Sequence, residues 1–91
     1  EVIQSPLFAR QKKKLNKNQI KKLDDAIRLI MADPTIGDAK SGDLRGVHVY
    51  KTIFGNNLIL IAYEVNESNL YLYTFGSHEN FYRKLSKYLH Q

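Results

Sequence analysis

The chain has no cysteine and no tryptophan, and only one methionine and two prolines in 91 residues. Without thiols it has neither a disulfide framework nor a thiolate zinc site. Its three histidines lie far apart, with no i, i+4 pair on which a zinc helix depends, so a metal site is not expected. Long apolar runs are missing too. The longest, Leu58 to Tyr63, falls far short of the ~20 residues that a membrane-spanning helix needs. No charged segment leads into an apolar core of the signal-peptide kind, so the expectation is a cytoplasmic protein without membrane contact. Acidic residues are the scarce charge. Nine Asp and Glu against fourteen Lys and Arg leave a net charge of +5, which favours a polyanion or an acidic protein as partner.

What remains is a globular composition, 43% hydrophobic and 25% charged, in a length that suits one domain over residues 1–91. Glu1 to Gln4 can form a short strand. Ser5-Pro6 supplies an N-cap followed by proline at the first helical position, and Leu7, Phe8, Gln11 and Leu15 continue a helix over residues 6–15. Asn16-Lys17-Asn18 breaks it, with Asn18 as cap for the next. Ile20, Leu23, Ile27 and Ile30 form the apolar stripe of a second helix, which stops before Pro34 because Asp33 is disfavoured in helical geometry. Arg10, Lys12, Lys13, Lys14, Lys17, Lys21, Lys22 and Arg28 make the exposed face of this hairpin basic.

Residues 35–46 hold three glycines and read as a loop. The period then changes to two, giving strands over 47–54, 58–65 and 69–75 with turns at Gly55-Asn56-Asn57 and Asn66 to Ser68. The middle strand is apolar on both faces, as a central strand should be. Phe81, Leu85, Tyr88 and Leu89 mark a C-terminal helix. The expected fold is α+β in the order β-α-α-β-β-β-α, with the helices on one face of a small, largely antiparallel sheet.

Chemistry concentrates in Phe75-Gly76-Ser77-His78-Glu79-Asn80-Phe81-Tyr82-Arg83-Lys84. His78 follows the last strand and can exchange a proton near neutral pH. The competing reading is an exposed loop histidine at a helix start. Tyr82 shares a helical face with His78 if the helix begins early; otherwise it anchors the helix. Arg83 and Lys84 are phosphate ligands or a solvated helix face. Lys51 sits mid-strand with Val47, Val49 and Ile53 on its face, and His48, Tyr50, Thr52 and Phe54 on the other. It is either a cation over an open surface or, if its face is core, a side chain snorkelling at the rim. The aromatic weight of Tyr50 and Phe54 favours the open surface for Lys51 and a structural role for His48. Lys40 and Arg45 flank a turn and either grip phosphate or are solvated loop charges. Tyr63, Tyr71 and Tyr73 suit sheet packing.

Ser41-Gly42-Asp43-Leu44-Arg45-Gly46 before Val49-Tyr50-Lys51, then Ala62-Tyr63-Glu64-Val65 and Phe75-Gly76-Ser77-His78, resemble the RelE/ParE superfamily of toxins from bacterial type II toxin–antitoxin systems. The resemblance spans nearly the whole chain and agrees with the order of elements. Its RelE/YafQ-like branch implies a ribosome-dependent, metal-independent endonuclease that cleaves mRNA and inhibits translation, without a cofactor. A cognate antitoxin would neutralise it in a toxin–antitoxin hetero-oligomer. In YafQ-like members a Gly-Ser/Thr-His turn precedes an aromatic four residues on, positions that His78 and Tyr82 match. Lys51 matches a catalytic lysine that follows a tyrosine on a strand. Two positions depart from that pattern: Leu60 and Ile53 stand where RelE-like nucleases carry an arginine and a second lysine. The implied site is therefore His78, Lys51, Tyr82 and Arg83, with Lys40, Arg45 and Lys84 on RNA phosphates. The ParE-like branch, a non-enzymatic inhibitor of DNA gyrase, is the alternative that Leu60 and Ile53 suit.

Overall fold

In the computed structural model, which describes residues 1–90, strand β1 (Val2–Gln4) runs directly into helix α1 (Pro6–Lys13). Ser5 is extended, and its hydroxyl oxygen accepts the Phe8 N–H at 2.9 Å while Pro6 opens the helix. Helix α2 (Lys17–Ala32) starts from Asn16 rather than Asn18. Asn16 wins because Gln19 stands at the third helical position, so each side chain caps the other's backbone N–H, at 2.9 and 3.0 Å. The helix ends at Asp33, which is extended ahead of Pro34. Leu23, Ala26, Ile27 and Ile30 are buried along one stripe, and each large aliphatic contributes about 1.5–3 kcal/mol over exposure.

The segment expected to be a loop over 35–46 is more ordered than its glycines suggest. It contains 3-10 turns at Pro34–Ile36 and Gly42–Leu44 and a two-residue strand, β2 (Asp38–Ala39). Tyr63 organises it from the sheet. Its hydroxyl donates to the Pro34 carbonyl and accepts the Gly37 N–H at 3.0 Å. That partner, more than twenty residues away in sequence, leaves no local signal, and β2 itself, two residues paired with Val49 and His48, is too short for alternation to mark.

Strands β3 (His48–Phe54), β4 (Asn57–Asn66) and β5 (Asn69–Ser77) form an antiparallel meander. With β2 antiparallel to β3 and β1 parallel to β5, the five-stranded order is β1-β5-β4-β3-β2. Leu60, Ile61, Ala62 and Tyr63 of β4 are fully buried, as the two-sided apolar run implies.

Burial on both faces overturns the expectation that all helices share one. The α1–α2 hairpin covers Phe54, Ile61, Tyr63, Leu70, Leu72 and Phe75. Helix α3 (His78–Leu89) covers Val47, Val49, Leu60 and Ala62 from the other side with Phe81 and Leu85. A central strand apolar on both faces needs cover on both, and only the C-terminal helix is left to supply the second layer.

One irregularity decides which way the end of β5 faces. Strict alternation would put Leu70 and Leu72 on the face opposite Phe75, yet all three pack under the hairpin. A bulge resolves the parity: Tyr63 pairs with Leu72 and Ala62 with Thr74, leaving Tyr73 over. Beyond the bulge the outer edge of β5 is covered by α1, where the side-chain Oε1 of Gln11 accepts the Phe75 N–H and the Thr74 hydroxyl, both at 3.1 Å.

Candidate active site

The register across three strands builds the floor of the site. Lys51 pairs with Leu60 and Leu60 with Gly76, so all three point to the α3 face. Neighbouring strands lie about 4.8 Å apart, which sets the Lys51 and Gly76 backbones roughly 10 Å from each other. Helix α3 covers the half of this face holding Val47 and Val49. The other half is open: Lys51 is exposed, and Ile53 and Leu58 are 57% and 43% exposed. Both readings of Lys51 were partly right. Its face is core at one end, and Lys51 stands where that core gives way to solvent. His48 lies on the opposite face, stacked on Tyr63 at 5.5 Å, with its Nδ1 buried and unpartnered.

A Cβ on Gly76 would meet nothing within 4 Å, and Gly76 is not among the residues with positive φ. Neither backbone nor packing demands glycine there. Its effect is to leave the floor between Lys51 and His78 open.

His78 and Tyr82 come together, though not through a continuous helical face. Glu79 (ψ 129°) and Asn80 (φ 68°) break the first turn of α3. Asn80 sits in the left-handed region, which asparagine tolerates better than most residues. The resulting kink places the rings edge to face, 5.7 Å apart. His78 is exposed and Tyr82 half-buried, with the Tyr82 ring also edge-on to Phe81 at 5.0 Å.

Lys40 closes the cluster from the other side. Its N–H donates to the Val47 carbonyl at 2.9 Å, extending the β2–β3 pairing, and its Nζ lies 5.5 Å from the Tyr82 ring centroid. Such a cation–π contact contributes about 0.5–1 kcal/mol at an exposed site. Tyr82 is thus the link between the imidazole and a cation nearly forty residues away.

The other expected site residues are less central. Arg83 donates to the Asn80 side chain at 2.6 Å and so braces the kink. Arg45 is exposed at the end of the second 3-10 turn, and it forms no ion pair among the described residues. Lys84 lies roughly 200° around α3 from Tyr82, beside Gly76, Ser77 and Asn80 but on the far flank of the helix. Gly76 and Asn80 were passed over as site-building residues. The glycine ending an otherwise apolar strand was the available signal for the first; nothing local marks the second.

The chain belongs to the ParE-like toxins of type II bacterial toxin–antitoxin systems, whose family model matches residues 2–86. Its fold is that of several solved Escherichia coli toxins. A RelE toxin mutant in the free state superposes with a TM-score of 0.73 at 14% identity, covering 94% of this chain and 93% of the other. RelE in the intact RelBE toxin–antitoxin complex gives 0.67 at 13% identity, over 84% and 93%. YafQ gives 0.63 at 13% identity, over 90% and 97%. No curated protein matches by sequence. Among the described residues no helix is long and apolar enough to cross a membrane.

Proposed function

We propose that this toxin is an endoribonuclease that cuts mRNA held on the ribosome and so blocks translation. The observation that carries the reading is the convergence of His78, Tyr82 and Lys40 beside an open floor that Lys51 borders. A phosphodiester lying over Gly76 would have a titratable imidazole on one side and a cation on the other. The RNA 2′-hydroxyl loses its proton to a base, and its oxygen bonds in line to the adjacent phosphorus. The bond to the 5′-oxygen breaks, an acid protonates that oxygen, and a 2′,3′-cyclic phosphate remains. His78 takes one of the two proton-transfer roles. Lys51 and Lys40 stabilise charge on the phosphorane, and Tyr82 orients the RNA. Arg83 acts mainly by holding the kink, while Arg45 and Lys84 meet flanking phosphates. The site has no enclosing walls, so positioning must come from the ribosome, which presents the message in reactive geometry. The toxin would act in the cytoplasm, paired with a cognate antitoxin in a hetero-oligomer.

A second reading has a specific observation behind it. Leu60 is fully buried and Ile53 is an exposed aliphatic side chain, where the nuclease resemblance expects cations, and the matching family is described as ParE-like. That favours a non-enzymatic inhibitor of DNA gyrase. Induced expression of the wild type, His78→Ala and Lys51→Ala separates the two. Rapid mRNA cleavage, slowed about 10²–10⁴-fold without His78, is the expected result. Toxicity that survives His78→Ala, with supercoiling blocked and mRNA intact, would overturn the endonuclease.

A further inference from the structure

Two of the exposed aliphatic side chains face each other. Ile53 of β3 pairs with Leu58 of β4, one row beyond Lys51 and Leu60, so their Cβ atoms lie about 4.5–5.5 Å apart on the α3 face. The other exposed aliphatics among the described residues, Leu29, Met31, Ile36 and Val65, do not pair with one another across the sheet. Scattered singly, such residues are ordinary surface. A facing pair beside a cation is a platform. It is bare because β5 ends at Ser77, opposite Ile59, and α3 then runs over Val47 and Val49 instead. One step further along the sheet, where Leu58 stands, the chain has already left it as His78.

The platform adjoins the floor of the candidate site. It lies two residues along β3 from Lys51, about 7 Å, within one nucleotide's reach of the space over Gly76. Neither side chain carries a donor or acceptor, so the surface cannot read the hydrogen-bonding edge of a base. It can take only the flat face, and it gains in proportion to the apolar area covered. Two fused rings cover more of it than one. A second copy of this chain is a poor occupant, because it would bring Lys51 side chains and surfaces of net charge +5 together.

We propose that Ile53 and Leu58 bind the base of a nucleotide adjoining the scissile phosphate, selecting purine over pyrimidine without distinguishing adenine from guanine. The proposal rests on the endonuclease reading, and it accounts for Ile53 within that reading. A lysine at this position would hold one more phosphate of any sequence. The isoleucine gives up that charge for contact area, so the site gains a preference among bases in place of general affinity.

The test joins binding to cleavage. The binding probes are hexamers of deoxyuridylate, which lack the attacking hydroxyl, with one central uracil kept or replaced by adenine or guanine. By fluorescence anisotropy the two purine hexamers should bind about threefold to tenfold more tightly than the all-uracil one. They should match each other within about twofold, and shift the Ile53 and Leu58 methyl signals. On ribosome-bound mRNA, mapped cut sites should favour an adjoining purine by a similar factor. Ile53→Ser with Leu58→Ser should reduce both preferences below about twofold. Met31→Ser, which removes an exposed aliphatic elsewhere, should leave them unchanged. Cleavage without purine preference, or a preference that survives in the double variant, overturns the platform and leaves the endonuclease standing. Methyl shifts of Ile53 and Leu58 that follow protein concentration without RNA also overturn it, by showing that a second copy sits there. If the wild type cuts no mRNA, the endonuclease reading falls and the hexamers decide the platform by themselves. Wild-type affinities and methyl shifts decide it equally should the double variant not fold.

Discussion

Gly37→Ala should be among the most destabilising single-methyl additions in this chain. Gly37 has φ −82° and ψ 153°, which alanine adopts without strain, so the penalty is not conformational. It is steric and polar. An added Cβ would sit 2.5 Å from the Tyr63 hydroxyl oxygen and 2.9 Å from Cε1 of its ring, and that ring is fully buried between β4 and α2. The ring cannot withdraw without disturbing the hairpin core, so the loop must move instead. Displacing it breaks the Gly37 N–H bond to the hydroxyl and the hydroxyl's bond to Pro34. Overpacking costs about 1–3 kcal/mol, and stranded buried polar groups about 1–3 kcal/mol more. Even ~3 kcal/mol, in the lower half of that range, is a large share of the ~5–15 kcal/mol that domains possess. It corresponds to a melting temperature lower by about 12–24 °C.

Urea denaturation of four proteins tests this reasoning: wild type, Gly37→Ala, Tyr63→Phe and the double variant. Tyr63→Phe alone leaves the Gly37 N–H and Pro34 carbonyl without their partner and should cost about 1–3 kcal/mol. In the double variant the missing hydroxyl makes room for the methyl, so the cost should fall short of the sum by about 1 kcal/mol or more. Additive losses, or a Gly37→Ala cost below ~0.5 kcal/mol, would refute the account of how Tyr63 holds the loop. The loop also carries Lys40, so Gly37→Ala should loosen the Lys40–Tyr82 contact and lower toxicity at temperatures where the protein is still folded.

Two further outcomes are expected. Burial first, then the hydrogen bond donated to Glu64 at 2.9 Å, raises the Tyr73 phenol well above its ordinary value. A raised folded-state pKa means the stability linked to protonated Tyr73 is full below the unfolded value of about 10 and is lost as pH climbs past it. Tyr73→Phe should therefore flatten the alkaline limb of a stability-against-pH curve measured from pH 9 to 12. Some slope remains from Tyr63, which burial also raises; an unchanged slope would contradict the assignment. Gly76→Val should hold or raise stability by up to ~1 kcal/mol, because the Cβ has open space and valine suits a strand. The same change should cut mRNA cleavage at least tenfold by filling the floor between Lys51 and His78, as calorimetry and a cleavage assay would show together.

The elements of the fold were legible because local physics places them. Ser5-Pro6 and the Leu23–Ile27–Ile30 stripe need only capping and periodicity, and the three long strands need only alternation and turn residues. The alternation that separates Lys51 from His48 held because β3 runs without a bulge over its pairing with β4. Single elements failed where their stabilising partners are distant. Strand β2 follows a turn pinned by the Tyr63 hydroxyl from β4, whereas the start of α2 turns on a local reciprocal pair, Asn16 and Gln19, that outcompetes the next asparagine.

The candidate site divides along the same line. Residue order alone determined that His78 follows the last strand and that Tyr82 lies within reach. It determined equally that one face of β3 carries Lys51 and that the surface is basic. Tertiary structure decided whether these residues meet. The bulge between Ala62 and Tyr63 turns Gly76 to the α3 face, and the left-handed Asn80 swings His78 onto Tyr82. The β2–β3 pairing brings Lys40 over the same ring. A bulge shifts the parity of every residue beyond it, and a cation–π contact joins side chains far apart in the chain. Both are settled by packing across strands, which no local pattern encodes.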